Sequence, residues 1–159
     1  MIKKICILTT AHNATDIRIF HKEARTLSNA GYKVEVIGQN ARRETVDEIE
    51  ILPFPPSQRF IRFFLMPLKM FFLAARRRAD VYHFHDPELI VTGIFIKIFC
   101  RKPVIYDVHE DYSQAIFNRE WLPEFLKPIV SSVFNVFEKN AARFFDCVRS
   151  EERRVGKEC

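Results

Sequence analysis

The sequence predicts an α/β domain with a parallel, doubly wound sheet. Three features point there. Short apolar, β-branched runs alternate with amphipathic segments of helical period along the 159 residues, and such alternation builds βαβ units. The first run, KKICILTT, is continuously apolar, as a strand covered on both faces is. Imidazole and carboxylate side chains follow directly after three of the runs, at His12, at His85-Asp86 and at His109-Glu110-Asp111.

KKICILTT, 3–10, is the first strand. A helix is expected over 16–30, with Ile17, Phe20, Ala24 and Leu27 on one face. Thr15 or Asp16 caps its start and Gly31 is placed to end it. KVEVIGQ, 33–39, alternates as a second strand, and 40–47 is a polar stretch. EIEILPF, 48–54, is a third strand, stopped by Pro53, Pro55 and Pro56. Residues 58–78 form a basic, Phe-rich helix with a kink expected at Pro67. ADVYHFHD, 79–86, is the fourth strand. Asp86, Pro87 and Glu88 then read as N-cap, first helical residue and first-turn acid of a helix reaching Cys100. PVIYDVHE, 103–110, is the fifth strand. The last helix spans 122–145, with Leu126, Ile129, Val130, Val133, Phe134, Phe137, Ala141 and Phe144 as one apolar stripe, and a sixth strand begins at 146–148.

Composition narrows the function. With 48% apolar residues and 16 Phe, the chain supports a packed core. A net charge of +5 suits an anionic ligand or surface. Four glycines, with no G-x-G-x-x-G and no G-x-x-x-x-G-K-[ST], argue against a dinucleotide or P-loop site. No G-x-S-x-G elbow is present. The apolar run Ile5–Leu8 is too short for a signal peptide, and 63–75 is too short and interrupted for a membrane span. Cys6, Cys100, Cys147 and Cys159 show no pair spacing and read as reduced thiols of a cytoplasmic protein.

With strand order 3-2-1-4-5, the first and fourth strands are neighbours and the chain reverses direction between them. Ligands bind at such a switch point, outside the carboxyl ends of the strands. His12, His85, Asp86, His109, Glu110 and Asp111 all fall on those loops. Arg18 stands in the first turn of the helix after the first strand, where an anion is favoured. Other roles stay open. Asp86 and Asp16 are also helix caps, Asp107 also anchors a loop, and His83 inside its strand is a packed core histidine. His-x-His at a strand end also occurs in metal-dependent hydrolases, which makes such an enzyme the alternative reading; a non-catalytic ligand-binding domain is another. The basic Phe-rich helix either covers the sheet or touches anionic lipid; its basic residues follow no nucleic-acid-binding motif.

Four segments, AHNATDIRIFHKEARTLSNAGYKVEVIG (11–38), ADVYHFHDPELIVTG (79–93), KPVIYDVHEDY (102–112) and EKNAARFFDCV (138–148), together resemble the N-terminal domain of family 4 glycosyltransferases of the GT-B fold. The resemblance implies a Rossmann-like, acceptor-side domain over 1–148. It implies a facing C-terminal domain, absent from this chain, that binds a nucleotide-sugar and carries two glutamates seven residues apart. The reaction it implies is retaining transfer of a hexosyl-type sugar to a glycan or lipid-linked acceptor, as in polysaccharide biosynthesis. Neither a metal nor a cofactor beyond the nucleotide-sugar substrate is implied. His109 would stand at the reaction centre. His12, Asp16 and Arg18 would floor the cleft, and His85 and Asp86, with Glu110 and Asp111 nearby, would line the substrate side. The cysteine usage and the basic Phe-rich segment 59–78 suit a cytoplasmic protein with peripheral contact at the inner face of the membrane.

Two departures stand out. Many relatives have a Gly-Gly turn after the first strand, where this chain has AHNATD. The terminal string RSEERRVGKEC, 149–159, matches the in-frame translation of a common sequencing adapter. It is expected to be a non-native, disordered tail, with the natural protein continuing past residue 148 and this piece inactive alone.

Overall fold

The computed structural model describes residues 3–40, 42–55, 65–108, 112–119 and 122–150, apart from the side chains at 113, 114 and 150. Seven strands form a single sheet: β1 Lys4–Asn13, β2 Lys33–Gln39, β3 Glu44–Val46, β4 Ile49–Pro53, β5 Val81–Phe84, β6 Val104–Val108 and β7 Cys147–Ser150. Their order is β3-β4-β2-β1-β5-β6-β7. Every pairing is parallel except β3 with β4. The parallel strands follow the expected order, and the chain reverses direction between β1 and β5.

β3 was not legible in the sequence. It lies in the stretch read as polar, where Asp47 and Glu48 take φ of 50° and 64° to form a two-residue hairpin turn. Such turns favour Asn-Gly or Asp-Gly; Asp-Glu gives no such signal.

Among the described residues, five helical segments, α1 to α5, accompany the sheet. α1 runs as a π-helical stretch, Ile17–Ala24, into Arg25–Asn29. α2 is Met66–Arg77. α3 begins as a 3₁₀ turn, Pro87–Leu89, continues over Ile90–Phe95 and ends as Ile96–Cys100. A short turn of helix, Tyr112–Ala115, is α4, and α5 is Lys127–Phe144. Pro67 sits at the start of α2, where a missing N–H costs nothing, so it does not kink the described helix. Residues 58–64 of the expected helix lie outside the described residues. Gly31 ends α1 at φ 89°, as its position predicted.

Alternation along the strands splits the core in two. On one face Ile5, Ile7, Val34, Val36, Ile49 and Ile51 pack under Ile19, Phe20 and Ala24 of α1. On the other, Cys6, Leu8, Tyr82, Phe84, Tyr106 and Val148 pack under α2, α3 and α5. The fit is tight at Gly93, where a Cβ would stand 2.7 Å from the Phe84 ring and 3.0 Å from Phe145.

Two helix faces differ from expectation. Ile17 is 71% exposed, while Ile19 and Phe20 are buried. The wider π-helical turn rotates the buried face away from the 3.6-residue pattern. On α5 much of the expected stripe looks outward: Ile129, Val130, Val133, Phe137 and Phe144 are exposed, with Val133 at 64%, while Phe134 and Ala141 pack on the core. Ser131, Glu138 and Ala142 face the protein beside Ala141, because small side chains let the helix approach and Glu138 accepts a 2.6 Å hydrogen bond from the Tyr106 hydroxyl.

The basic end of α2 is divided too. Arg77 turns to the sheet and donates to Glu35 at 2.8 and 2.9 Å and to Glu50 at 2.8 Å. Lys4 meets Glu35 from the other side at 2.8 Å. Burial raises the Glu35 pKa, but hydrogen bonds from Arg77 and Lys4 outweigh it and bring it down to about 2. Arg76 and Arg78 remain exposed. Cys6 and Cys100 are free thiols, as expected. Strand β7 runs on through Arg149 and Ser150, the first two residues of the terminal string, so these two belong to the sheet. Among the described residues, no helix is long and apolar enough to cross a membrane.

Candidate functional site

The switch point between β1 and β5 opens into a cavity of about 430 Å³. His12, Asp16, Arg18, His85 and Asp86 line it. Five of the eight residues named from the sequence therefore meet in one place. The other three, His109, Glu110 and Asp111, lie outside the described residues. Val108 before them and Tyr112 after them both line the cavity.

Each side chain is held by a specific device. The Asp16 carboxylate caps α1, accepting from the Arg18 amide at 2.9 Å and the Ile19 amide at 3.4 Å. This fixes the first turn, from which Arg18 reaches across to β6 and donates to both oxygens of Asp107 at 3.3 and 3.2 Å. His12, on the terminal turn of β1, is half exposed, with Nε2 3.6 Å from Oδ1 of Asp86.

Asp86 occupies the N-cap position of α3, but its side chain does not cap that helix. It turns to β1 and accepts from the Thr10 amide at 2.6 Å, the Thr9 hydroxyl at 2.8 Å and the Ala11 amide at 3.2 Å. Glu88 joins it, accepting from the Thr10 hydroxyl at 2.5 Å. Two acids from the β5–α3 turn thus pin the end of β1. Sequence reading saw the local helix start and missed this partner about 76 residues away.

Beneath the cavity His83 and His85, two apart on an extended segment, face the same side of the sheet. Their rings lie 4.6 Å apart. His83 is buried, as a core histidine, yet its neighbours are polar: Glu23 at 3.8 Å and Asp107 at 4.0 Å. His85 stands 3.1 Å from Glu23 and 3.6 Å from Asp107. Glu23, on the π-helical stretch of α1, was not singled out from the sequence. Tyr106, Tyr112 and Arg119 also line the cavity and were missed. Arg119 lies 5.8 Å above the Tyr112 ring, in a stretch without periodic pattern. Tyr106 is buried and stacked on Phe84 at 4.7 Å; burial, then Glu138, pushes its phenol far above the usual range, so it stays a neutral donor.

An open parallel sheet with helices on both faces and a polar cavity at its switch point defines a Rossmann-like domain of the GT-B type. The chain belongs to glycosyltransferase family 4: the family model so described matches residues 18–151. The catalytic domain of starch synthase IV from Arabidopsis thaliana, solved bound to ADP and acarbose, is similar in fold, with a TM-score of 0.52 at 13% identity. The match covers 92% of this chain and 44% of that one, so the chain spans less than half the length of that structure. A comparison with curated proteins finds no match.

Proposed function

We propose that the chain forms the acceptor-side half of a retaining glycosyltransferase that moves a hexosyl-type sugar from a nucleotide-sugar to a glycan or lipid-linked acceptor, as polysaccharide biosynthesis requires. The observation that carries this reading is the cavity at the β1–β5 switch point, where His12, Arg18, His85 and Asp86 converge in a family 4 chain. Hydroxyl-rich ligands need such closely spaced donors and acceptors. The nucleotide of the donor would lie mainly against a C-terminal domain. The starch synthase relative, bound to ADP and acarbose, is the kind of complex the reading anticipates.

In the proposed transfer the acceptor oxygen bonds to the anomeric carbon on the face from which the diphosphate leaves. The acceptor proton passes to the departing phosphate oxygen. Arg18 and Arg119 supply positive charge near that phosphate, and His109 holds the sugar or acceptor by a hydrogen bond. No metal and no cofactor take part in this transfer. In the hydrolase alternative the His83–His85 pair would hold an ion with ligands from His12, His109 or the acids; Asp86, one of those acids, turns to β1. The exposed Leu65 before α2 and Leu68 and Phe72 on it, with Arg76 and Arg78 nearby, support peripheral contact with an anionic inner membrane face. Nucleic acid is not a proposed partner.

The test uses the natural full-length enzyme, supplied with a panel of nucleotide-sugars and oligosaccharide or lipid-linked acceptors. Sugar transfer with the donor's anomeric configuration kept in the product, read by NMR, is expected. His109→Ala should lower turnover sharply at saturating donor; unchanged turnover would remove His109 from the mechanism. Inversion at the anomeric carbon would overturn the retaining step.

A further inference from the structure

Below the cavity floor lies a cluster that shares only His85 with the proposed substrate site. Glu23 of α1, His83 of β5, His85 just after it and Asp107 of β6 each offer one ligand atom, and these atoms lie within 4.8 Å of one another. We infer that this cluster is a structural divalent-cation site, with zinc its best match.

The donor set carries the argument. Two imidazole nitrogens and two carboxylate oxygens make a complete four-ligand shell of the type zinc takes. Two carboxylates balance the charge of a dication while both imidazoles stay neutral. The backbone aims these groups without help. His83 and His85 alternate onto one face of the sheet, Asp107 comes from the neighbouring strand, and α1 lays Glu23 over them.

Burial supports the same conclusion. The Glu23 side chain is only 9% exposed, and its Oε2 accepts no hydrogen bond. A buried carboxylate oxygen in that condition is costly unless a cation meets it. That oxygen is the one facing both rings, 3.1 Å from Nε2 of His85 and 3.8 Å from Nδ1 of His83. Tetrahedral zinc with bonds of about 2.1 Å spaces its ligand atoms roughly 3.4 Å apart. Against a limit of 4.8 Å between the ligand atoms, the widest pair must close by up to about 1.4 Å as the side chains take up the ion.

Two cations already address the carboxylates. Arg18 meets Asp107 at 3.2 Å, and Arg149 meets Glu23 at 3.1 Å. An entering dication takes over the charge they now share, so it must displace at least one of these pairs. Three elements, α1, β5 and β6, supply the ligands, and the ion would tie them together directly under the substrate cavity. With all four ligands supplied by protein, the site is closed and structural, with no open position for chemistry.

The experiment reads binding directly and does not depend on sugar transfer. The whole chain is stripped with a chelator, exchanged into metal-free buffer and titrated with Zn²⁺ alone. Metal content is measured after gel filtration, and thermal unfolding is followed with and without the ion. One zinc per chain and a rise in Tm are expected. Co²⁺ substitution should give the intense visible absorption of a tetrahedral site. Glu23→Gln and His83→Asn should each weaken binding by about tenfold or more. His21→Ala, which removes an exposed histidine on α1, should not. Circular dichroism of the metal-free variants checks their fold, and Asp107→Asn replaces any that fails. Absence of stoichiometric zinc in the wild type, or binding that survives in the folded ligand variants, would overturn the site.

Discussion

The Oδ2 atom of Asp86 accepts the amide of Thr10 at 2.6 Å, across 76 residues of sequence. With the Thr9 hydroxyl and the Ala11 amide on the same oxygen, it closes the carboxyl end of β1 against the turn after β5. Asp86→Ala strips the acceptor from these buried groups. A loss of about 3 kcal/mol is expected, since each buried donor left unpaired costs roughly 1–3 kcal/mol. Urea unfolding reads it as a lowered midpoint with unchanged slope. Asp86→Asn, which keeps one acceptor oxygen, should lose less.

Glu35 gives the fold a defined acid limit. Its folded-state pKa, about 2, is below its ordinary 4.5. The stabilisation is fully present above pH 4.5 and is lost as pH falls from there through about 2, because the unfolded chain then takes up the proton more readily. The stability gap between wild type and Glu35→Gln in urea should therefore narrow from pH 6 to pH 3. Arg77→Met, which leaves the carboxylate with Lys4 alone, should cost about 3 kcal/mol at pH 6.

Gly93 is a packing requirement. Its Cα faces the Phe84 ring, with 2.7 Å available to a Cβ. Phe84 is stacked on Tyr106 and cannot retreat freely. Gly93→Ala should destabilise by about 1–3 kcal/mol despite alanine's better helix propensity. Thermal unfolding would show it, and a rise in Tm would contradict the packing.

The outward stripe of α5 makes a contrasting case. Val133→Ser should change stability by no more than about 0.5 kcal/mol, because that side chain is exposed. Leu89→Ala, at a buried position, should cost about 2–5 kcal/mol. Equal losses would place Val133 in the core.

At the cavity, Arg18 and Arg119 are expected to bear on diphosphate. Calorimetric titration of the chain with inorganic pyrophosphate should weaken about tenfold in Arg119→Ala, roughly 1.4 kcal/mol. Arg18→Ala should do the same and in addition lower stability, because Asp107 is left buried without its guanidinium.

The sequence alone determined the parallel sheet and its strand order, and named five of the residues that line the cavity. Those follow from local signals: apolar runs of strand length, helical periods, Gly31, and the Asp86-Pro87-Glu88 start. Polar residues at strand ends mark a switch point because topology sends those ends to one side. Tertiary structure decided which groups meet. Asp86 serves β1 rather than its own helix, Arg77 leaves its basic neighbours for Glu35, and Glu23 joins two histidines sixty residues away. Helix faces also waited on packing: the π-helical turn of α1 buries Ile19 in place of Ile17, and α5 seats Ala141 and Glu138 while its valines look out. Periodicity says that a helix has an apolar side, but only the space left by its neighbours says which side can be buried.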